Sequence, residues 1–305
     1  MATFRPFAAL RPTKELAKQV AALPYDVVTR KEAEELGKEN PYSFLHVDRA
    51  EIDLGPAVDP YSSKVYEKAR ENLERMKKEG VYQKDSIPCY YIYQQQMGEY
   101  IQTGLVGCAS IDDYLNHVVK RHELTREEKE EDRIRHVDTC DANTGPIFLT
   151  GRFSDELIDL MDHWMTVHEA EYDFQEEDGI FHRVWKIQDP EAIKSIWKMT
   201  GQISSFYIAD GHHRAASAVK VGRKRRQEHP DYTGEEEFNY FLSVLFPCRR
   251  MKILPYNRLV KDRNGMDEKT VLSRVKENFE LLYFPGLPCK PTERHCFGMY
   301  MGGQW

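Results

Sequence analysis

Two strand-like runs joined by a two-residue turn place the strongest constraint on the fold of this chain. Residues 89–95 are aromatic and β-branched, Met97-Gly98 has the composition of a tight turn, and residues 100–111 resume strand-like composition. This pattern predicts an antiparallel β-hairpin. Asp178-Gly179 predicts a second hairpin, which joins residues 172–175 to residues 181–187. A chain with two such hairpins is expected to contain an antiparallel or mixed sheet.

Helical patterns occur before, between and after these hairpins. Thr29 and Glu32 have the spacing of a capping box that opens a short helix. Apolar residues recur at helical spacing over residues 61–80, and residues 125–137 and 155–168 are also predicted to be helical. The predicted fold class is therefore α+β, with mixed sheets and helices.

Composition narrows the class of protein. The chain has 305 residues, 41% of them hydrophobic and 30% charged, which is enough to bury a large core and unlike disordered or collagen-like chains. No run approaches the roughly 18 apolar residues of a membrane helix, and the N-terminus lacks the apolar core of a signal peptide. None of the six cysteines forms a C-x-x-C pair, as expected of idle thiols in a reducing compartment. A cytoplasmic location without membrane association is predicted.

The charge balance bears on the class of partner. Lysine and arginine number 43 against 50 acidic residues, a net charge of -7. This balance argues against extensive nucleic-acid binding, so DNA is not an expected partner, whereas a local basic patch can still bind phosphate. The one concentrated basic run, at residues 220–226, lies near a predicted helix C-terminus, where such runs usually compensate the helix dipole. The oligomeric state cannot be predicted from the sequence.

The strongest candidate site is a strand-to-helix junction. The apolar run at residues 203–209 leads into Asp210, Gly211, His212, His213 and Arg214, and small residues follow. A helix N-terminus here would offer free N–H groups to an anion, and the glycine would let a ligand approach the backbone closely. The arginine can bind phosphate, the aspartate can hold Mg²⁺, and the histidines can donate to phosphate or move a proton. The alternative is a polar turn in which the aspartate acts only as an N-cap.

A second candidate is the segment that opens the helix predicted over residues 125–137. Thr125 and Glu128 have capping-box spacing, which places His122 and Glu123 on the loop just before the helix. A carboxylate in that position could take a proton from a substrate hydroxyl. Three basic residues recur at three- and four-residue intervals and so share one helical face: Arg126, Lys129 and Arg133. The alternative is a solvated helix rich in ion pairs.

Other motifs carry less information. Tyr25 and Asp26 lie in a Pro-Tyr-Asp-Val-Val segment that suits either a substrate-side loop or a plain turn after a helix. The sequence has no Walker loop, no dinucleotide-binding Gly-x-Gly-x-x-Gly and no Gly-x-Ser-x-Gly elbow, so three large enzyme classes lose support.

Three of these segments, in this order, resemble the domain-of-unknown-function 1015 family. They are Pro-Tyr-Asp-Val-Val at residues 24–28, Lys-Arg-His-Glu with Thr-Arg and Asp-Arg within residues 120–133, and Ala-Asp-Gly-His-His-Arg at residues 209–214. The resemblance covers residues 4–305 as one continuous domain. It implies subregions at 1–115, 116–250 and 251–305. A strand over residues 296–301 followed by a Gly-Gly turn, together with the greater length of family members, predicts a C-terminally truncated chain.

The Asp-Gly-His-His-Arg segment is similar to that of ParB-like and sulfiredoxin-like folds, and most of all to nucleotide-dependent free-serine kinases. The resemblance implies a ParB/sulfiredoxin-like core. It also implies that Glu123 is a general base, that Asp210 and His212 serve magnesium or phosphate, and that His213 and Arg214 stabilise the transferring phosphoryl group.

The leading hypothesis is thus a phosphotransferase that uses Mg²⁺ and ATP or ADP to phosphorylate a small hydroxylated metabolite, such as a free amino acid. One alternative is a non-enzymatic, ParB-like nucleotide-binding module with a protein or DNA partner. A third is a metal-dependent hydrolase built on Asp210, His212 and His213, for which the sequence offers no complete ligand set.

Overall fold

The computed structural model describes residues 1–252, 254, 257–286 and 288–305. They form two compact units, Met1–Met251 and Lys252–Trp305. The strands are β1 (Phe4–Arg5), β2 (Leu10–Pro12), β3 (Tyr82–Lys84), β4 (Tyr90–Met97), β5 (Tyr100–Ser110), β6 (Val119–Lys120), β7 (Ile147–Gly151), β8 (Tyr172–Gln175), β9 (Phe181–Ile187), β10 (Phe206–Asp210) and β11 (Tyr240–Pro247). The helices are α1 (Ala17–Val20), α2 (Arg30–Gly37), α3 (Leu45–Asp48), α4 (Ser63–Lys78), α5 (Ile111–Leu115), α6 (Glu127–Cys140), α7 (Asp155–Val167), α8 (Pro190–Gly201), α9 (His212–Glu228) and α10 (Glu268–Lys276).

A nine-stranded mixed sheet organises the first unit. Its strand order is β6-β10-β7-β11-β5-β4-β9-β8, and β1 pairs with β5. β10 runs parallel to β6 and β11 parallel to β7, whereas the other pairs are antiparallel. Strands β2 and β3 form a separate two-stranded sheet. The predicted α+β class is confirmed.

Both hairpins form where their turn residues predict them. β4 and β5 pair up to Met97 and Tyr100, which leaves Gly98 and Glu99 as the two turn residues, one position later than predicted, and Gly98 has a φ of 59°. β8 and β9 pair up to Gln175 and Phe181 around the Asp-Gly turn. The capping box that opens α2 is also present, with the Thr29 side chain accepting from the Glu32 amide and the Glu32 side chain accepting from the Thr29 amide.

Four apolar clusters hold this unit together, and two of them are large. The larger cluster lies between the sheet and helices α5, α7, α8 and α9, and includes the fully buried Phe4, Ile92, Leu105 and Phe206. The second cluster joins helices α1, α3 and α4 to α6, where Cys140 packs against it. α6 therefore touches the helical cluster on one side. On another it touches α9, because the Ser217 hydroxyl of α9 donates to the Glu130 carbonyl of α6 at 3.1 Å.

The second unit contains α10, whose N-cap Asp267 accepts a hydrogen bond from the Thr270 amide at 2.8 Å. The predicted Gly302-Gly303 turn is present, and both glycines have positive φ. The strand predicted over residues 296–301 is not formed, because the pairing around this turn consists of one isolated bridge between Met301 and Gln304. Within the described residues of the whole chain, no helix has both the length and the apolar composition needed to cross a bilayer.

Candidate functional site

The junction between β10 and α9 forms the floor of the candidate site. Phe206 and Ile208 point into the core while Tyr207 is exposed, so the strand alternates as expected. Its register against β7 shifts between Ile208 and Asp210, a type of irregularity that often occurs beside functional sites. Gly211 follows with φ 87° and caps α9 without any side-chain hydrogen bond. A left-handed residue before an uncapped helix leaves the first-turn N–H groups available to an anion.

Arg214 and Asp210 form the charged pair of the site. The Arg214 side chain is only 15% exposed, and its NH2 group lies 2.6 Å from Asp210 Oδ2, while its NH1 group donates to the Pro146 carbonyl. The Asp210 side chain is 65% exposed. Among the described residues, Arg214 Nε has no hydrogen-bond partner although it is buried. Arg214 is thus held at two points, and one of them is a carboxylate that faces solvent.

The two histidines of α9 contact the loop that carries Glu123. His212 Nδ1 lies 3.9 Å from Glu123 Oε2, and the His212 ring packs edge-on against the His122 ring, with 4.5 Å between centroids. Burial, together with the neighbouring His122, lowers the pKa of His212. His213 Nε2 accepts a hydrogen bond from the Arg126 amide at 3.0 Å. Glu123, from a loop about 90 residues earlier in the chain, therefore reaches the N-terminus of α9.

Tyr25 and Asp26 close the other side of the site. Together with Glu123 and residues 210–214 they line a cleft of about 40 Å³. Pockets that enclose a drug-sized ligand usually measure roughly 300–1,000 Å³, so this cleft has room for a small group such as a phosphate rather than for a whole nucleotide. Burial raises the pKa of Tyr25 to about 12, against the opposing effect of Arg133 and Arg214. Its hydroxyl is therefore a hydrogen-bond donor at neutral pH.

The three basic residues that were predicted to share one face of α6 differ in their exposure to solvent. Arg126 is the N-cap of α6 and is exposed, Lys129 is exposed on the first turn, and Arg133 is buried. The Arg133 guanidinium pairs with Asp132 at 2.8 Å and lies 4.0 Å from the centre of the Tyr25 ring. Arg133 thus packs against the Tyr25 wall of the cleft, and of the three residues only Arg126 and Lys129 are exposed to solvent.

The capping box predicted from Thr125 and Glu128 is wrong. α6 begins after Arg126, which makes no side-chain capping bond. The Thr125 hydroxyl instead donates to the buried Glu130 carboxylate at 2.6 Å, and Lys220 of α9 pairs with the same carboxylate. The Thr125 side chain is therefore bonded to a carboxylate that also pairs with α9. Glu130 and the Pro146 carbonyl are supporting groups that the sequence analysis missed, since only the packing of distant segments identifies them.

The basic run at residues 220–226 is largely neutralised within the protein. Lys220 pairs with Glu130, Lys224 with Asp138 at 2.6 Å, and Arg226 with Asp112 at 2.7 Å. Arg225 also pairs with Asp138, at 3.1 Å. These pairs cancel most of the positive charge that a DNA contact at this run would use.

Two further features of the surface limit the choice of site. A depression of about 490 Å³ lies along α4, but charged side chains of that helix and its C-cap line it, and two of them, Arg75 and Glu79, pair with each other. Within the described residues, no group of three or more His, Cys, Asp or Glu side chains could hold a metal ion. A metal at the cleft would therefore need most of its ligands from a bound phosphate and water, which is the usual manner of Mg²⁺.

Comparison with known proteins identifies a family for this chain. A family model described as "Protein of unknown function (DUF1015)" matches residues 4–305. No curated protein and no solved structure matches the chain. The ParB-like or sulfiredoxin-like core stays a prediction.

Proposed function

The chain belongs to the DUF1015 family, and from the geometry of its site we propose that it is a cytoplasmic phosphotransferase that uses Mg²⁺ and ATP or ADP. The substrate would be a small hydroxylated metabolite, such as a free amino acid. One observation carries the proposal: a carboxylate, Glu123, faces the uncapped N-terminus of α9 across a cleft that also contains Arg214. Phosphoryl transfer needs this combination of a base and fixed positive charge.

Each wall of the cleft has a distinct role in this proposal. The first-turn amides of α9 and the Arg214 guanidinium bind the transferred phosphoryl group, because both present N–H donors to an anion. Glu123 accepts the proton of the substrate hydroxyl as the oxygen attacks phosphorus, the bridging P–O bond of the nucleotide breaks, and ADP leaves from ATP or AMP from ADP. The Tyr25 hydroxyl adds a neutral donor on the opposite wall.

Magnesium would neutralise phosphate charge when it is bound together with the nucleotide. Asp210 and Asp26 are the carboxylates of the cleft that could hold it, each as a single protein ligand. The small volume of the cleft implies that the nucleoside lies outside it, against the surface around residues 23–27 and 122–126. Those loops expose Val27 and Leu124, which are 63% and 89% accessible, and the flat face of the nucleobase could cover them.

The first experiment is a thermal-shift screen with ATP and ADP, each with and without Mg²⁺. A nucleotide present at about 100 times its dissociation constant should stabilise the protein by about 2.7 kcal/mol. Product formation is then followed by ³¹P NMR with a panel of hydroxylated amino acids. Nucleotide binding without any product would favour a non-enzymatic nucleotide-binding module, and the absence of any shift would overturn the proposal.

The second experiment tests the base. Glu123→Gln keeps the shape of the side chain but removes its ability to accept a proton, so kcat should fall about a hundredfold or more while nucleotide binding persists. Glu177→Gln makes the same chemical change in the turn between β8 and β9, at the opposite end of the sheet from β10, and should leave kcat unchanged. Full turnover in Glu123→Gln would exclude Glu123 as the base.

A further inference from the structure

The hydrogen bond between Arg126 and His213 fixes the proton on the imidazole ring. A backbone N–H can only donate, so the ring nitrogen that it meets at 3.0 Å, Nε2, must carry a lone pair. The ring proton of His213 is then on Nδ1. His213 Nε2 is therefore occupied as an acceptor and is not free to donate to a phosphate.

His212 makes a parallel contact one residue earlier. Its Nε2 faces the His122 amide at 3.5 Å, a longer and weaker bond. The His212 side chain is only 4% exposed and packs against the His122 ring. If Nε2 accepts, the Nδ1 proton points toward Glu123 Oε2, 3.9 Å away. A ring in this state offers no lone pair to a metal ion, which argues against the role in magnesium binding that the resemblance implies.

These two bonds attach both ends of one short loop to α9. We call residues 122–126 the anchored loop, and Glu123 lies between its two attachment points. Apolar burial does not hold the loop in place, because Leu124 is 89% exposed. A further attachment is the Thr125 hydroxyl, which donates to Glu130. Polar contacts to α6 and α9 therefore fix the position of the loop.

We propose that His213, assisted by His212, is a positioning residue that holds Glu123 at the cleft by accepting backbone hydrogen bonds from the anchored loop. The inference rests on the proposed function only in calling Glu123 the base. The resemblance implies that His213 stabilises the transferring phosphoryl group, and with Nε2 occupied His213 could contact that group only through Nδ1.

The first test uses the full chain without any ligand. ¹⁵N NMR of protein labelled at histidine identifies the ring nitrogen that carries the proton, and the signals lost in His213→Gln assign the residue. The expected result is a proton on Nδ1 of His213. A proton on Nε2 would overturn the proposal. The protonated nitrogen is identified in the wild-type protein, and the variant serves only to assign its signal.

The second test compares two replacements of His213 by hydrogen exchange. The Gln carbonyl oxygen can accept near the position of Nε2, whereas Leu fills a similar volume without an acceptor. Exchange at the Arg126 amide should become about fivefold faster in His213→Leu, the effect of losing one net hydrogen bond, and should return toward the wild-type rate in His213→Gln. Amides of β4 and β5 serve as the control for global stability. Equal exchange at Arg126 in both variants would overturn the proposal.

The third test connects the anchored loop to catalysis. His213→Leu should lower kcat more than it raises KM, and His213→Gln should recover most of the loss. Equal kcat in Leu and Gln variants would leave His213 without a positioning role. If no nucleotide turnover exists, the phosphotransferase proposal fails, while the NMR and exchange results still decide whether the loop is anchored.

Discussion

The Asp210 carboxylate lies 2.6 Å from the guanidinium of Arg214, across the turn that joins β10 to α9. The pair is asymmetric, because the Arg214 side chain is 15% exposed and the Asp210 side chain is 65% exposed. In this arrangement the aspartate occupies one edge of the guanidinium that a phosphate would otherwise take. A bound cation would draw the carboxylate away and free that edge.

This competition predicts a Mg²⁺-dependent effect of Asp210→Asn. Without Mg²⁺, the variant should bind nucleotide more tightly than the wild type, because a negative charge beside the phosphate site has been removed. With Mg²⁺, it should lose the additional affinity that the metal provides, by roughly tenfold, since a charged ligand has become neutral. Titration calorimetry with and without Mg²⁺ measures both effects. The surface variant Asp155→Asn is the matched control, and an Asp210→Asn protein with the wild-type Mg²⁺ dependence would contradict the role of Asp210.

Gly211→Ala should impair both stability and phosphate binding. Gly211 has φ 87°, where a side chain costs about 1–2 kcal/mol, and an added Cβ would lie 3.2 Å from Arg214 Cζ. The new methyl group would therefore displace the guanidinium as well as strain the turn. Gly201→Ala is the control, because its Cβ would meet nothing within 4 Å. Urea unfolding and nucleotide titration of the two variants check the prediction, which fails if Gly211→Ala behaves like Gly201→Ala.

The parts of the fold that local sequence determines were predictable. The two hairpin turns, the capping box of α2 and the strand-to-helix junction at residues 203–214 all depend on residues within a few positions of one another. The same holds for the composition of the site, since Asp210 to Arg214 are consecutive.

Features that depend on distant segments could not be predicted. The burial of Arg133 depends on Tyr25, on its neighbour Asp132 and on the Tyr66 hydroxyl, which donates to Asp132 at 2.9 Å. From helical spacing alone, Arg133 and Lys129 are expected to be equally exposed. In the same way, no local signal shows that the Pro146 carbonyl holds Arg214 or that Glu130 takes the Thr125 hydroxyl.

Asp85 is predicted to be among the most important charged residues for stability. It is buried and accepts hydrogen bonds from Arg11 at 3.0 Å, from Lys186 at 2.6 Å and from the Tyr91 hydroxyl. Asp85→Asn removes the carboxylate that pairs with Lys186 and one of the two carboxylates that pair with Arg11, and both cations are half-buried, which should cost about 3 kcal/mol. Asp173→Asn, on the exposed edge strand β8, should cost about 1 kcal/mol or less. Urea unfolding at neutral pH compares the two variants.

The contacts of the Asp85 carboxylate also predict that its contribution to stability is lost in acid. Burial alone would raise the pKa of Asp85, but the hydrogen bonds from Arg11, Lys186 and Tyr91 hold it below its ordinary value. A depressed pKa contributes stability above the unfolded value of about 3.9, and this contribution is lost as the pH falls through the folded value. The difference between wild type and Asp85→Asn should therefore shrink under acid conditions, and a constant difference would contradict the argument.

The contacts of His46 predict the opposite pH dependence of stability, at pH values near neutrality. Its Nδ1 lies 2.8 Å from Asp53 Oδ1, and its Nε2 faces the carbonyls of Gly37 and Asn40 at 3.2 and 3.1 Å. Both ring nitrogens thus meet acceptors, an arrangement that favours the doubly protonated ring. The hydrogen bond to Asp53 raises the pKa of His46 against the effect of burial.

A raised pKa contributes stability that is fully present below the unfolded value of about 6.5 and is lost as the pH rises through the folded value. His46→Gln should therefore destabilise the protein more at about pH 5.5 than at about pH 8.5. Urea unfolding of wild type and variant across this range measures the difference, and His163→Gln, a change at an exposed histidine of α7, serves as the control. If the loss in His46→Gln is the same at both ends of the range, the ring does not bind its second proton through Asp53.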